Sequence, residues 1–145
     1  MNEKPQPILL VEDDPGHVLL IEKNLRRAGV TNEIVKLDDG SKAVDYLFGE
    51  GDFASTINPV PLIILLDINL PVLSGLQVLQ RIKADERTKR IPVVMLTTTD
   101  SSQEIAKCYD LGCNIYITKP VDYVKFSEAI RNLGLFLSLV RTPED

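Results

Sequence analysis

Five short runs with apolar centres, separated by segments with helical spacing, constrain the fold of this chain more than any other feature. The runs are Ile8–Val11, Glu33–Leu37, Leu62–Leu66, Pro92–Leu96 and Asn114–Thr118. Continuous apolar runs of this length are typical of strands that are covered on both faces. Between them, apolar residues recur every three or four positions, as on one face of a helix. This alternation predicts an α/β fold with a five-stranded parallel sheet and five helices on its two sides.

Boundary residues indicate where several helices begin and end. Asp14 followed by Pro15 is the pair expected at an N-cap and the first helical position, and Ser74 is placed to cap a later helix. The last helix is predicted from near Asp122 to Val140. The connection from Gly49 to Pro61 is longer than most loops of α/β proteins.

Length and composition limit the classes of protein to consider. At 145 residues the chain is expected to be a single domain over 1–145, with a core of about 6–140, a tail at 141–145 and no output domain. A net charge of −5 without a basic run argues against nucleic acid as a partner. No apolar run approaches the roughly 20 residues needed to span a bilayer, so we expect no membrane association.

The N-terminus and the cysteines indicate a cytoplasmic location. The first apolar run is interrupted by acidic residues, so it does not have the pattern of a signal peptide. Cys108 and Cys113 are the only cysteines and have no histidine beside them, whereas a zinc site needs about four ligands. We therefore interpret both thiols as packing residues in a reducing compartment.

Polar residues follow the ends of several predicted strands. In open α/β sheets, ligands bind outside the carboxyl ends of the strands, where the strand order reverses. The residues that this rule collects on one rim are Glu12, Asp13, Asp14, Asp67, Thr97 and Lys119.

The acidic members of this rim predict a magnesium site. Carboxylates at the ends of buried strands are costly unless a cation gathers them, and Mg²⁺ prefers oxygen ligands. Asp13 and Asp67 are candidates for direct ligands, Glu12 or Asp14 for a ligand through water, and the backbone near Asn69 for a carbonyl ligand.

The same rim contains the groups needed to accept a phosphoryl group. The Asp67 carboxylate is a candidate nucleophile that would hold the group as a mixed anhydride. The Lys119 ammonium and the Thr97 hydroxyl are candidates to contact the phosphoryl oxygens.

Each of these residues also has a purely structural interpretation. Asp14 is an N-cap, Thr97 alone could belong to a turn, and a lone Lys119 would be a surface charge. His17 is interpreted as a surface histidine, because Mg²⁺ prefers oxygen. Tyr116 lies in the fifth run and is by default a strand aromatic.

Taken together and in order, the motifs resemble the receiver domain of two-component response regulators. They are Ile8–Asp14, Leu65–Pro71 with Ser74-Gly75, Pro92–Thr97 and Lys119-Pro120. The resemblance covers nearly the whole chain. It implies a flavodoxin-like doubly wound sheet of order 2-1-3-4-5.

The resemblance also implies a role for each acidic residue. Asp67 would accept a phosphoryl group from the phosphohistidine of a sensor histidine kinase. Asp13, Asp67 and the backbone carbonyl of Asn69 would bind Mg²⁺ directly, and Glu12 would bind it through water. The protein would then be a phosphoacceptor regulator and not an enzyme, apart from intrinsic autophosphorylation and dephosphorylation at Asp67.

The remaining roles implied by the resemblance concern switching. Thr97 and Lys119 would contact the phosphoryl oxygens. Thr97 would move on phosphorylation while Tyr116 turns inward. The bond before Pro120 would be cis.

Within the family, the chain most resembles stand-alone regulators paired with phytochrome-type kinases. The cues are Asp14-Pro15, Leu20-Ile21, the Gly49–Pro61 insertion and the absence of an output domain. The last helix adds a further expectation. Its apolar stripe for the sheet is Phe126, Ile130, Leu133, Leu137 and Val140, yet Leu135, Phe136 and Leu139 lie off that stripe. A helix that is apolar on two faces predicts a homodimer through it, and the alternative is that the insertion or the tail covers the second face.

Two other functions remain alternatives at this point. One is a degenerate receiver that acts as a binding module without phosphorylation. The other is a phosphatase with an aspartate nucleophile, although Asn69 occupies the position where such an enzyme needs a second carboxylate.

Overall fold

A computed structural model describes residues 6–55, 58–98, 101–119 and 123–139. Strands and helices alternate along these residues. The strands are β1 (Ile8–Val11), β2 (Ile34–Leu37), β3 (Ile63–Asp67), β4 (Val93–Thr97) and β5 (Ile115–Thr118). The helices are α1 (Pro15–Arg27), α2 (Gly40–Phe48), α3 (Gly75–Ala84), α4 (Ser102–Asp110) and α5 (Tyr123–Leu139). All ten predicted elements are confirmed, and each predicted strand end lies within one residue of the observed end.

The strands form one parallel sheet in the order β2-β1-β3-β4-β5, which confirms the predicted fold class. Val11 pairs with Leu66, and Asp67 pairs with Leu96. Every residue of β1, β3 and β4 is buried, as expected for strands covered by helices on both faces. The carboxyl ends of these three central strands therefore meet at one rim of the sheet.

Alternate residues of each central strand face two separate apolar cores. Leu9 and Val11 point to the core beneath α2, α3 and α4, whereas Ile8 and Leu10 point to the core beneath α1 and α5. Cys108 and Cys113 are buried free thiols in the first of these cores, as their predicted packing role requires. Burial raises the pKa of Cys113 to about 11, so its thiol stays protonated at neutral pH.

Side-chain caps fix where the helices begin. The Asp14 carboxylate accepts hydrogen bonds from the backbone N–H groups of Gly16 and His17, which confirms the predicted N-cap of α1. Ser74 forms a capping box at α3, in which its hydroxyl accepts from the Gln77 backbone and the Gln77 side chain accepts from Ser74 N–H. These caps hold the helix starts at the rim where the strands end.

The long Gly49–Pro61 connection is folded against α2. Gly49 ends α2 in the left-handed conformation, and a turn of 3₁₀ helix follows at Gly51–Phe53. The Phe53 ring meets the Tyr46 ring edge-on, with 5.3 Å between centroids. Asn58 donates a hydrogen bond to the Tyr46 carbonyl at 3.1 Å. This part of the insertion thus packs against α2, away from the rim formed by the carboxyl ends of the strands.

Helix α5 packs mainly against α1. Ile130 and Leu133 are buried, as the predicted stripe requires, and Leu135 is 46% exposed. The side chains of the other apolar residues named for this helix, Phe126, Phe136, Leu137, Leu139 and Val140, lie outside the described part of the chain. None of the helices in the described part is long and apolar enough to cross a bilayer.

Candidate functional site

The sheet register places the ends of β1, β3 and β4 side by side. Because Val11 is opposite Leu66, Glu12 and Asp67 come next on adjacent strands. The Glu12 N–H donates to the Leu37 carbonyl at 3.0 Å, which continues the ladder beyond β1. Thr97, the last residue of β4, is fully buried beside this point. Three of the predicted rim residues, Glu12, Asp67 and Thr97, are therefore brought to one end of the sheet by strand pairing.

An acidic cluster occupies this rim. Glu12, Asp13 and Asp67 each offer one carboxylate oxygen, and these oxygens lie within 4.8 Å of one another. Glu12 is 2% exposed and Asp67 is 4% exposed, whereas Asp13 faces solvent. The Oδ1 atom of Asp67 accepts a hydrogen bond from the Asn69 N–H at 3.2 Å. This hydrogen bond orients the buried Asp67 carboxylate, and the exposed Asp13 lies on the solvent side of the cluster.

Lys119 supplies the cation of the cluster. Its ammonium Nζ donates to Asp67 Oδ2 at 2.9 Å and forms an ion pair with Glu12 Oε1. The side chain is only 4% exposed, so both contacts are shielded from water. The Lys119 N–H also donates to the Thr97 carbonyl, which ties the end of β5 to the end of β4. Residues 52 positions apart in the chain are thereby joined in one buried ion cluster.

The charges in this cluster do not balance. The cluster contains three carboxylates and one ammonium, and the ammonium contacts the two carboxylates that are buried. Burial and, next, the hydrogen bond to Asp67 raise the pKa of Glu12 to about 8. Burial and the neighbouring Asp67 carboxylate both disfavour the charged form of Glu12, and a cation bound here would oppose both effects. An all-oxygen donor set with excess negative charge suits a hard divalent cation such as Mg²⁺.

The other predicted residues fall into different positions. Asn69 is exposed in the loop after β3, and Tyr116 is half-buried in β5 opposite Met95. Asp14 is turned to the backbone of α1 as its N-cap, where the hydrogen bond from His17 N–H lowers the Asp14 pKa. Pro120 lies outside the described residues, as does the bond predicted to be cis.

His17 is closer to the site than its interpretation as a surface residue suggested. Its Nδ1 lies 3.6 Å from Glu12 Oε1 and 3.6 Å from Asp14 Oδ2, and 18% of its side chain is exposed. A side chain three residues after the N-cap points back towards the first turn of the helix. The spacing of His17 from Asp14 was therefore the one sequence signal for its position near the site. The contact with Glu12 depends on how α1 leaves β1.

A groove runs from the acidic cluster between α1 and the β2–α2 turn. Its volume is about 580 Å³. Val18, Leu19 and Leu37 form its apolar part, and Lys36 and Lys42 lie along its rim. Leu19 is 52% exposed. The candidate site therefore opens onto a partly apolar surface and not into a closed cavity.

Comparisons with known proteins agree with this geometry. The protein-family model of the response regulator receiver domain matches residues 8–131 of this chain. A receiver domain from Rhodospirillum rubrum is 52% identical, with a TM-score of 0.84 over 95% of this chain and 97% of that one. The phosphorylated cyanobacterial phytochrome response regulator RcpA is 38% identical, with a TM-score of 0.84 over 96% and 99% of the two chains.

A third solved structure contains a bound metal ion. The Mn²⁺-bound form of response regulator Rcp1 is 33% identical, with a TM-score of 0.87 over 97% of this chain and all of that one (100%). The family match, the strand order and the acidic rim agree. The chain belongs to the response regulator receiver domain family of two-component signalling.

Proposed function

We propose that this protein is a phosphorylation-controlled switch in which Asp67 accepts a phosphoryl group from the phosphohistidine of a sensor histidine kinase. The observation that carries the proposal is the meeting of Glu12, Asp13 and Asp67 at the carboxyl ends of the strands, with the Lys119 ammonium in contact with Glu12 and Asp67. A buried carboxylate that is held from two sides, beside a cation, suits a nucleophile for phosphoryl transfer.

The chain's own residues account for the proposed transfer. An oxygen of the Asp67 carboxylate attacks phosphorus while the N–P bond of the phosphohistidine breaks, and its electron pair returns to the imidazole nitrogen. The product is an acyl phosphate on Asp67. The Lys119 ammonium pairs with a phosphoryl oxygen and the Thr97 hydroxyl donates to another. Because Lys119 already contacts Asp67, little movement is needed to bring it to the transferred group.

The acidic cluster is the proposed metal site. Asp13, Asp67 and the backbone carbonyl of Asn69 would hold Mg²⁺ directly, and Glu12 would hold it through water. When bound, the ion supplies positive charge to the phosphoryl oxygens. The Mn²⁺-bound form of the similar Rcp1 and the excess of carboxylates in this cluster support the assignment.

The proposed upstream partner is a phytochrome-type kinase. Support comes from the similarity over almost the whole chain to RcpA, which is a phytochrome response regulator. The proposed output is a change in protein contacts. In it, Thr97 moves to the phosphoryl group and Tyr116 turns inward, which alters the surface formed by α4, β5 and α5.

Mass spectrometry after exposure to acetyl phosphate and Mg²⁺ tests this function. We expect one labile phosphoryl adduct on the wild-type chain, much slower labelling when a chelator removes Mg²⁺, and no adduct on Asp67→Asn. A persistent adduct on that variant would place the acceptor elsewhere. No adduct on the wild type would favour the binding module, and rapid turnover of many organic phosphates would favour the phosphatase.

A further inference from the structure

Val72, in the loop between β3 and α3, has an unusual backbone conformation. Its φ is +70°, and among the described residues it is the one non-glycine with a positive φ. The side chain is also 76% exposed, more than any other large apolar side chain that the structure describes. A β-branched residue in this region of φ is an outlier, because its side chain crowds the backbone.

The local hydrogen bonding identifies the turn. Leu73 N–H donates to the Pro71 carbonyl at 2.9 Å, so the bond closes around Val72 alone. A three-residue turn with positive φ at its centre is the rare and strained form of the γ-turn. Such conformations cost of order 1–3 kcal/mol and persist only where the surrounding structure enforces them.

The surroundings of Val72 do enforce it. The Pro71 carbonyl also accepts a hydrogen bond from Gly40 N–H at the start of α2, at 3.2 Å. On the other side, Gly75 N–H donates to the Ile68 carbonyl at 2.7 Å, and the Ser74 capping box begins α3 directly afterwards. These hydrogen bonds therefore hold the loop at both ends, and they keep the exposed Val72 at its tip in one conformation.

Packing within the fold does not account for a valine at this position. Leu70 and Leu73 on either side of the tip pack against the apolar core, but Val72 does not. Glycine or asparagine would adopt the same φ at lower cost and would expose no apolar surface. The positive φ thus disfavours valine at this position, and a strained conformation that the fold enforces motivates a role for the exposed side chain in contacts outside the chain.

We propose that Val72 is an apolar anchor for the protein that donates the phosphoryl group, and this inference rests on the proposed function. A histidine that transfers to Asp67 must come to the rim of the sheet, and Val72 lies five positions later in the loop that leaves that rim. The occupant is a donor surface with an apolar patch beside its phosphohistidine. A side chain on a rigid loop binds with little loss of entropy, as interface anchors do.

Two phosphodonors separate docking from chemistry. Acetyl phosphate reaches Asp67 without a protein surface, whereas the autophosphorylated catalytic core of a phytochrome-type histidine kinase must dock. The rate of Asp67 phosphorylation is measured with each donor for the wild type, Val72→Asn and Val72→Ile. Asparagine tolerates the positive φ and removes the apolar group, and isoleucine keeps both the apolar group and its branching.

We expect Val72→Asn to accept phosphoryl groups from the kinase core roughly tenfold more slowly than the wild type, and from acetyl phosphate at the wild-type rate. Val72→Ile should transfer normally from both donors. Val60→Asn is the matched control, since Val60 is also an exposed valine, at 53%, but precedes β3 and so lies at the amino ends of the strands, away from the rim. It should behave as the wild type.

Three results would overturn the proposal. One is an unchanged kinase-core rate in Val72→Asn. Another is an equal loss with both donors, which would make Val72 a support of the Asp67 loop. The third is an equal loss in Val60→Asn. Failure of the proposed function would be distinct, because acetyl phosphate would then not label Asp67 in the wild type.

Discussion

At the scale of single residues, Lys119 is the side chain on which the rim depends most. It lies between two buried carboxylates, on Glu12 and Asp67, and is itself buried. A buried charge whose partner is removed is strongly destabilised, because neither water nor protein compensates for it. The ammonium therefore stabilises the folded chain as well as preparing the site.

Replacing Lys119 tests this role. We expect Lys119→Met to lower the free energy of unfolding by about 3 kcal/mol, because two carboxylates lose their shared counter-charge. Urea denaturation measures the change, and added Mg²⁺ should recover part of it. The control is Lys89→Met, whose exposed ion pair with Glu86 at 2.7 Å should contribute less than about 1 kcal/mol. Equal losses in the free energy of unfolding would show that the buried ion pairs of Lys119 stabilise the fold no more than the exposed Lys89–Glu86 pair.

Gly75 supports the site through its backbone. A Cβ atom at this position would lie 2.0 Å from the Asp67 carbonyl oxygen and 2.7 Å from Ile68 Cα. No side chain fits there unless the loop behind the phosphoacceptor moves. The close approach of α3 to the end of β3 thus requires glycine.

We expect Gly75→Ala to cost about 3 kcal/mol of stability and to slow labelling of Asp67, since the backbone of Asp67 must shift. Gly49→Ala is the matched comparison. Gly49 has a φ of +65° with nothing within 4 Å of an added Cβ, so the cost should be only the left-handed penalty of about 1 kcal/mol. Labelling should be unchanged. A Gly75→Ala protein with wild-type stability and labelling would contradict the close-approach argument.

At the scale of elements, strand ends and helix caps position the functional groups. Each central strand delivers one or two polar residues at its carboxyl end, and the next helix starts within a short loop. The caps differ in strength, however. Ser74 makes a complete capping box, whereas the Ser101 side chain makes no capping hydrogen bond at the start of α4. The start of α3 should therefore be more firmly held than that of α4.

This difference gives a direct comparison of two serines. Ser74→Ala should lower the free energy of unfolding by about 1 kcal/mol, the usual contribution of an N-cap. In Ser102→Ala, at the exposed first position of α4, the loss should be clearly smaller, because no N-cap is removed. Chemical denaturation of both variants measures the difference. If the two losses were equal, the capping box would not be what stabilises the start of α3.

At the scale of the whole molecule, α5 remains the candidate for self-association. Its buried residues Ile130 and Leu133 complete the core against α1 and the sheet, and Leu135 lies 46% exposed. In β5, the edge strand beside it, Ile115 is 42% exposed. These exposed groups are compatible with the homodimer predicted from the two apolar faces of the helix.

Sedimentation at micromolar concentration tests the dimer. We expect the wild type to sediment with twice the mass of the chain and Leu135→Glu to sediment as a monomer, because a charge on the contact face is costly to bury. The control is Val72→Glu, in the loop before α3, which should leave the dimer intact because α3 covers the core on the other face of the sheet. A wild type of monomer mass would refute the prediction.

The sequence by itself determined the strands and helices, their order along the chain, and the polar residues at the strand ends. Strand runs, helix periodicity and the caps at Asp14 and Ser74 depend on neighbours within a few residues, so local patterns contain them. The parallel sheet and the collection of Asp67, Asp13 and Lys119 at one rim follow from that alternation and from the rule for strand ends. The order 2-1-3-4-5 came from resemblance to a family, since alternation alone allows several topologies.

Only the tertiary structure decided how these groups contact one another. The Lys119 ammonium bridges Glu12 and Asp67, His17 approaches Glu12, and the pKa of Glu12 is raised. The turn at Val72 is likewise held by a bond from Gly40. These features depend on distances between segments far apart in the chain and on the exclusion of water between them. Such distances are set by packing of the whole fold, and no local pattern of residues encodes them.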